Sequence, residues 1–192
     1  MSFYLEAELR SLGFRSVGED VRLSRKASVY GAENISIGNH VRIDDFCVLA
    51  AGVGGITIGN YVHIAVGSTL IGAGMIAMAD FSGLSSRVSI YSSSDDYSGA
   101  TMTNPTVPRE YTGVEHMDVF LGKHVIVGSG SVILPGATLE EGVAVSALSL
   151  VTKDCKAFGI YTGVPARRIK ARKTDLLELE RQFRQDSNLP PL

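Results

Sequence analysis

Residues 92–99 read SSSDDYSG, and the adjacent carboxylates Asp95 and Asp96 open a polar stretch that runs on as ATMTNPTVPREYTGVEHMD. Two neighbouring carboxylates attract a cation, and one held beside a reacting amine can take its proton. A free carboxylate, with a pKa of about 4, is a poor base for a hydroxyl unless burial raises it, and a neutral histidine suits that task better. An amine is already a competent nucleophile once deprotonated. It needs position, an electrostatic partner for its ammonium form and somewhere for the proton to go. Asp95 and Asp96 are thus candidates to hold a cationic group or accept a proton, with Tyr97 beside them as a further substrate contact. The competing structural role for both aspartates is an Asx-turn that opens the loop.

The four histidines are the other candidate bases. His116 sits at the far end of the polar stretch and could return to Asp95 as the rival base. His63 is predicted to point outward and to line a cleft near Asp95 from an adjacent coil. His40 and His124 occupy matching slots in IGNH and LGKH and read as structural corner residues.

The elements that must position these residues follow from a repeat. From Leu121 the chain divides into sixes: LGKHVI, VGSGSV, ILPGAT, LEEGVA, VSALSL, then VTKD. The first residue of each block is aliphatic (Leu121, Val127, Ile133, Leu139, Val145, Val151), and the fifth is small or branched (Val125, Ser131, Ala137, Val143, Ser149). A helix of period 3.6 cannot keep such a period on one face, and a simple alternating strand would not need it. The pattern recurs as IGNHVR, IDDFCV, IGNYVH, IAVGST and LSSRVS, with a weaker trace from Leu23 and extra residues near Gly54–Thr57 and Gly72–Ile76. Each six makes a strand and a turn, three sixes close a coil, and stacked coils bury a continuous core. This predicts an all-β solenoid over 23–170, with an N-terminal cap at 1–22. A long loop should leave the coils at 96–120, and a C-terminal helix and tail should occupy 171–192. TDLLELERQFRQ is expected to cap the open end through Leu176, Leu177, Leu179 and Phe183. A structureless loop of that length in a compact domain is usually functional or disordered, and Tyr97, Met102, Pro105, Val107, Pro108, Tyr111 and Val114 give it surface to bury on a partner.

Composition narrows the function classes. The 192 residues carry a net charge of −2, which gives nucleic acid no electrostatic footprint. No apolar run suits a membrane span and no signal peptide is evident, so a cytoplasmic protein without stable membrane insertion is expected. The two cysteines, Cys47 and Cys155, lack CxxC spacing and read as buried thiols.

IGNHVRI, LGKHVIVGSGSVILPGATLEEGVAV and the ending SLVTKD…GIYTGVPARRIK resemble the hexapeptide-repeat acyltransferases, within their sugar O- and N-acetyltransferase group. The likeness covers about residues 20–170. It implies a left-handed parallel β-helix, acetyl-CoA as co-substrate, no metal, and a homotrimer whose active sites lie between subunits, with the loop walling the acceptor pocket. It also implies that the pantetheine arm runs past Gly128, Ser129, Ser146 and Ala147. Thr152 and Lys153 would then lie beside the nucleotide and Gly163 and Pro165 beside the adenine. Arg168 is named for the phosphates, and Arg167 or Lys170 could serve there as well. O-acetyltransferases of the group often read S-H-D-Y-S where this chain has Ser94-Asp95-Asp96-Tyr97-Ser98, and that histidine is their base. The departure favours an amine acceptor. The substrate expected is a nucleotide-linked 4-amino-4,6-dideoxy sugar, with dTDP as the nucleotide, used in surface-polysaccharide (O-antigen) synthesis. The rivals are an O-acetyltransferase with His116 or His63 as base, and a non-catalytic β-helix; a histidine-bound zinc site is the least favoured reading.

Overall fold

The computed structural model describes residues 2–187; Met1 and the tail segment 188–192 lie outside the described residues. Three sheets of six, eight and six strands run along the molecule, and successive coils contribute parallel neighbours to each. The inward ladder of the first face is Ile37, Ile58, Met78, Leu121 and Leu139. That of the second is Ile43, Ile64, Leu84, Val127, Val145 and Tyr161. The third carries Leu49, Leu70, Ile90, Ile133 and Val151. All of these are buried. The first-position aliphatics read from the sixes are these core residues, and the fifth-position residues Val125, Ser131, Ala137, Val143 and Ser149 are buried with them. Where sixes are unbroken the coil repeats at 18 residues, as in the bond from Ser149 N–H to Ser131 Oγ.

The corners explain the histidine slots. His40, Tyr61, Phe81 and His124 each take a left-handed φ of 55–59° at the same turn. Their rings stack along the corner, 4.6 Å from His40 to Tyr61, 5.0 Å to Phe81 and 5.2 Å on to His124. Stacking of this kind offsets the steric cost of a side chain at positive φ. The small residue two places earlier is needed because coils touch there: a Cβ on Gly38 would lie 2.6 Å from the Gly59 carbonyl oxygen.

Helix α1 (Glu6–Ser11) closes the first coil with buried Leu9, while Tyr4, Leu12 and Phe14 pack on the same core. Helix α2 (Asp175–Asp186) departs from expectation. It lies along the side of the solenoid on the aromatic corner, with the Phe183 ring edge-on to Tyr61 at 5.2 Å. Leu176 and Leu177 are half-buried and Leu179 is 63% exposed, whereas Glu180 is buried. The reason is what α2 meets. Glu180 accepts bonds from Lys123 Nζ at 2.7 Å, His124 Nε2 at 2.7 Å and Arg184 Nε at 2.6 Å. Strand Arg167–Ala171, which the hexad pattern does not predict, lies antiparallel on Gly159–Thr162 and covers the edge of the last coil.

The long excursion is pinned at its base. The chain leaves after Tyr91, pairs Ser93–Ser94 antiparallel with Glu115–His116, and re-enters the first face at Val119. Met117 N–H donates to the Ser92 carbonyl, and Met75 N–H donates to Asp118 Oδ1 at 2.8 Å, across 43 residues.

Candidate active site

The hairpin base sorts the candidate residues onto two sides. Directly opposed residues of an antiparallel pair share a face. Ser93 therefore goes with His116, and Ser94 with Glu115. Asp95 lines a cavity with Ser94, Asp96, Tyr97, Thr101, Gly113 and Glu115. His116 is hydrogen-bonded through Nδ1 to Ser93 Oγ at 2.8 Å and faces a different cavity of about 540 Å³. Its walls include Gly52, Val53, Ala73, Arg109 and Val114. The structure thus separates Asp95 from His116, which the sequence had offered as interchangeable bases.

Asp96 is committed to the loop. It accepts from Ser98 N–H at 2.7 Å, Thr101 N–H at 2.9 Å and Thr101 Oγ1–H at 3.1 Å. Hydrogen bonds from Ser98 and Thr101 hold its carboxyl down to about 2. This is the Asx-turn geometry weighed against a substrate contact. Tyr97 next to it is 94% exposed. Glu115 makes the third carboxylate of the Asp95 cavity and was missed by sequence reasoning; only its adjacency to His116 marked it.

His63 lies elsewhere. It lines a cavity of about 390 Å³ on the outer side of the second face with Ala65, Gly83, Ser85, Ser86, Ile126 and Ser129, and it shares no lining residue with the Asp95 cavity. Within one chain, then, His63 is not in the cleft of Asp95. Its Nε2 is 2.9 Å from Asp44 Oδ2, and Arg42 Nε donates to Asp44 Oδ1 at 2.7 Å. Burial pushes the Asp44 carboxyl up, but the bonds from Arg42 and His63 outweigh it and leave it below the usual range. Asp44, Ser85 and Ser86 carried no motif that could have singled them out.

The residues named for a cofactor follow the stacking. Gly128 and Ser129 turn the corner one coil before Ser146 and Ala147, and a Cβ on Gly128 would lie 2.4 Å from the Ala147 nitrogen. Thr152, Lys153 and Arg168 line a third cavity with Asp154, Ala166 and Arg167. Gly163, at φ 99°, and Pro165, after a cis peptide bond, form the neighbouring turn. Gly163 is fixed by N–H donation to Ser149 Oγ at 3.1 Å. Three cations at this end suit the phosphates of a nucleotide. Among the described residues no group of three or more His, Cys, Asp or Glu could hold a metal ion, and no helix is long and apolar enough to cross a membrane.

A three-faced parallel solenoid with a pinned loop and a basic cavity at its closing turn defines a class, and the comparisons agree. No protein-family model matches the chain. The chain is 55% identical over 184 residues, 96% of each sequence, to an Escherichia coli dTDP-4-amino-4,6-dideoxy-D-glucose acyltransferase. It therefore belongs to the hexapeptide-repeat acyltransferases with a left-handed β-helix fold, in their sugar acyltransferase group. Among solved structures, AntD, an N-acyltransferase from Bacillus cereus in complex with dTDP and 3-hydroxybutyryl-CoA, is 48% identical with a TM-score of 0.94, covering 97% of this chain and 98% of that one. A serine variant of AntD in complex with dTDP-4-amino-4,6-dideoxyglucose and coenzyme A gives 47% and 0.93, covering 96% and 98%.

Proposed function

We propose that this enzyme transfers a short acyl group from coenzyme A to the 4-amine of a dTDP-linked 4-amino-4,6-dideoxy sugar, with acetyl-CoA as the donor. The observation that carries the acceptor class is the Asp95 cavity: three carboxylates, Asp95, Asp96 and Glu115, and no imidazole. Such a cavity attracts an ammonium and offers a proton acceptor, but it holds no base suited to a hydroxyl. The names and ligands of the relatives support the nucleotide sugar and the coenzyme A donor.

In this reading Lys153, Arg167 and Arg168 hold the donor's phosphates, and Gly128, Ser129, Ser146 and Ala147 leave room for its pantetheine arm. The donor supplies an acyl thioester. Asp95 orients the amine and takes the proton that nitrogen loses as the N–C bond forms. The C–S bond breaks, and the thiolate leaves and is protonated, so amine and thioester become amide and free thiol. A backbone N–H beside the small residues holds the oxyanion. Because the Asp95 cavity and the groove of Ser129 are separate on one chain, two subunits complete each site in a homotrimer. The loop of one subunit closes on the second face of its neighbour. The cytoplasm, where acyl-CoA and nucleotide sugars occur, is the fitting compartment. A surface-polysaccharide pathway is the fitting consumer of the product.

The test is thiol release from acetyl-CoA with dTDP-4-amino-4,6-dideoxyglucose and with its 4-hydroxyl counterpart. Turnover with the amine alone is expected. Turnover with the hydroxyl compound would overturn the amine assignment and return His63 or His116 to the role of base.

A further inference from the structure

The closing end of the solenoid carries charge that the transfer chemistry leaves unused. Between Val151 and Lys173 the chain holds seven lysines and arginines against one acidic residue, Asp154, although its net charge is −2. Two of the seven serve the fold. Arg172 Nη1 donates to the carbonyls of His124 at 2.8 Å and Gly142 at 3.0 Å, and Lys156 is paired with Glu140 at 2.6 Å. Lys153, Arg167 and Arg168 line the cavity assigned to the donor's phosphates. Lys170 and Lys173 are exposed, lie outside that cavity and join no ion pair among the described residues.

An apolar side chain stands among these cations. Strand Arg167–Ala171 is the last of the eight-stranded sheet. Its pairing steps from Tyr161 with Arg168 to Ile160 with Lys170, so Ile169 opposes no residue of the neighbouring strand. A bulge of this kind re-aims a side chain. Ile169 is 57% exposed, and Val164, in the turn of the same hairpin, is 71% exposed. Protection of a free sheet edge accounts for cations and for a bulge, but it calls for a charge at the bulged position, and an exposed isoleucine there works against it. Donor binding accounts for neither the isoleucine nor the two outlying lysines. Cations around an exposed apolar side chain match an anionic bilayer: the ammonium groups meet headgroup phosphates, and the apolar side chain enters the interfacial layer. Salt screens charge beyond about 8 Å, so this local excess, and not the net charge of the chain, decides the attraction.

We infer that the closing hairpin docks reversibly on an anionic lipid surface through Lys170 and Lys173, with Ile169 and Val164 entering the interface. No residue of it needs to cross the membrane. Each lysine near such a surface strengthens partitioning about fivefold, so the two outlying lysines together contribute about 25-fold. The cavity cations add to this when no donor is bound. The surface lies outside the acceptor and donor sites, and its test does not depend on turnover.

The experiment is co-sedimentation of the full chain with vesicles of phosphatidylcholine alone and of phosphatidylcholine mixed with phosphatidylglycerol, at low and at physiological salt, with and without saturating coenzyme A. Wild type should bind the mixed vesicles only, more tightly at low salt, and should stay bound when coenzyme A fills the basic cavity. Lys170→Ala and Lys173→Ala should each weaken binding about fivefold. Ile169→Ser, which leaves the charge unchanged, should weaken it as well. The chain contains no tryptophan, so Ile169→Trp supplies a single reporter whose emission should shift to the blue on the mixed vesicles. Equal binding to both vesicle types, or no binding to the mixed vesicles at low salt, would overturn the docking surface. Release by coenzyme A would overturn it too, because the lipid phosphates would then be occupying the donor's cavity. An unshifted tryptophan on bound vesicles would remove Ile169 from the contact and reduce it to non-specific charge attraction, which also sinks the proposal.

Discussion

Glu180 ties α2 to the aromatic corner through three charged or polar donors. Its side chain is 2% exposed and receives bonds from Lys123, His124 and Arg184. Burial pushes the carboxyl up, but these three donors outweigh it and hold it at about 2, against an ordinary 4.5. At roughly 1.4 kcal/mol per pKa unit this corresponds to about 3 kcal/mol of stability at neutral pH. Because the folded carboxyl titrates below the unfolded one, the contribution is fully present above pH 4.5 and is lost as the pH falls toward 2. At pH 3 about 1 kcal/mol of it should remain. Glu180→Gln keeps the shape and removes the buried charge that faces Lys123, His124 and Arg184, a kind of change that costs about 3–5 kcal/mol in buried pairs. The expected loss at pH 7 is about 3 kcal/mol, or ~6–12 °C in Tm for a chain of this length. Urea denaturation of both proteins from pH 7 to pH 3, at one protein concentration, reads the difference. It should shrink by more than half across that range. A Glu180→Gln protein as stable as wild type, or a deficit that does not change with pH, would refute the electrostatic account and leave only packing.

Three further outcomes follow from the same geometry. Asp95→Asn should lower kcat by about 10²–10⁴, the range of a positioned acid–base group, while His116→Asn, whose side chain faces the other cavity, should lower it by less than tenfold. The reverse order in a stopped-time thiol assay would move the base to His116. Asp96→Ala removes the acceptor for Ser98 and Thr101, so amide exchange across 97–102 should accelerate well beyond that of the solenoid strands; unchanged protection would mean that the turn does not need its carboxylate. Burial pushes the Cys155 thiol up to about 11 and raises that of Cys47, so neither should react with a disulfide reagent at pH 8 until guanidinium unfolds the chain. A fast-reacting thiol in the native protein would contradict the placement of both.

Much of the solenoid was legible because it is periodic. Leu121, Val127, Ile133, Leu139, Val145 and Val151 are spaced by the coil itself, so their burial follows from counting. His40 and His124 were legible for the same reason, since a corner slot recurs. The closing stretch from Ser149 to Lys170 carried the family likeness, and the break after Ser94 marked the loop. What failed to show in the sequence lies where the period stops or where separate stretches meet. The helical pattern of α2 pointed to Leu176, Leu177, Leu179 and Phe183 as its apolar side. The corner it lands on presents Lys123 and His124 beside its rings, so Glu180 is buried, Phe183 packs on Tyr61 and Leu179 is left exposed. Loop residues have no repeat to place them, so only the pairing of Ser93–Ser94 with Glu115–His116 puts Asp95 and His116 in different cavities. Glu115, Asp44 and Ser85 acquire a meaning only from neighbours about twenty residues away in sequence. Ile169 reads in sequence as one apolar residue in a basic run. Only the pairing of the folded strands shows that it opposes no neighbour. The sequence by itself determined the repeating coil, its core and the family, because period and burial are properties of spacing. The tertiary structure decided which carboxylates, imidazoles and gaps face one another, because that depends on how unlike segments pack.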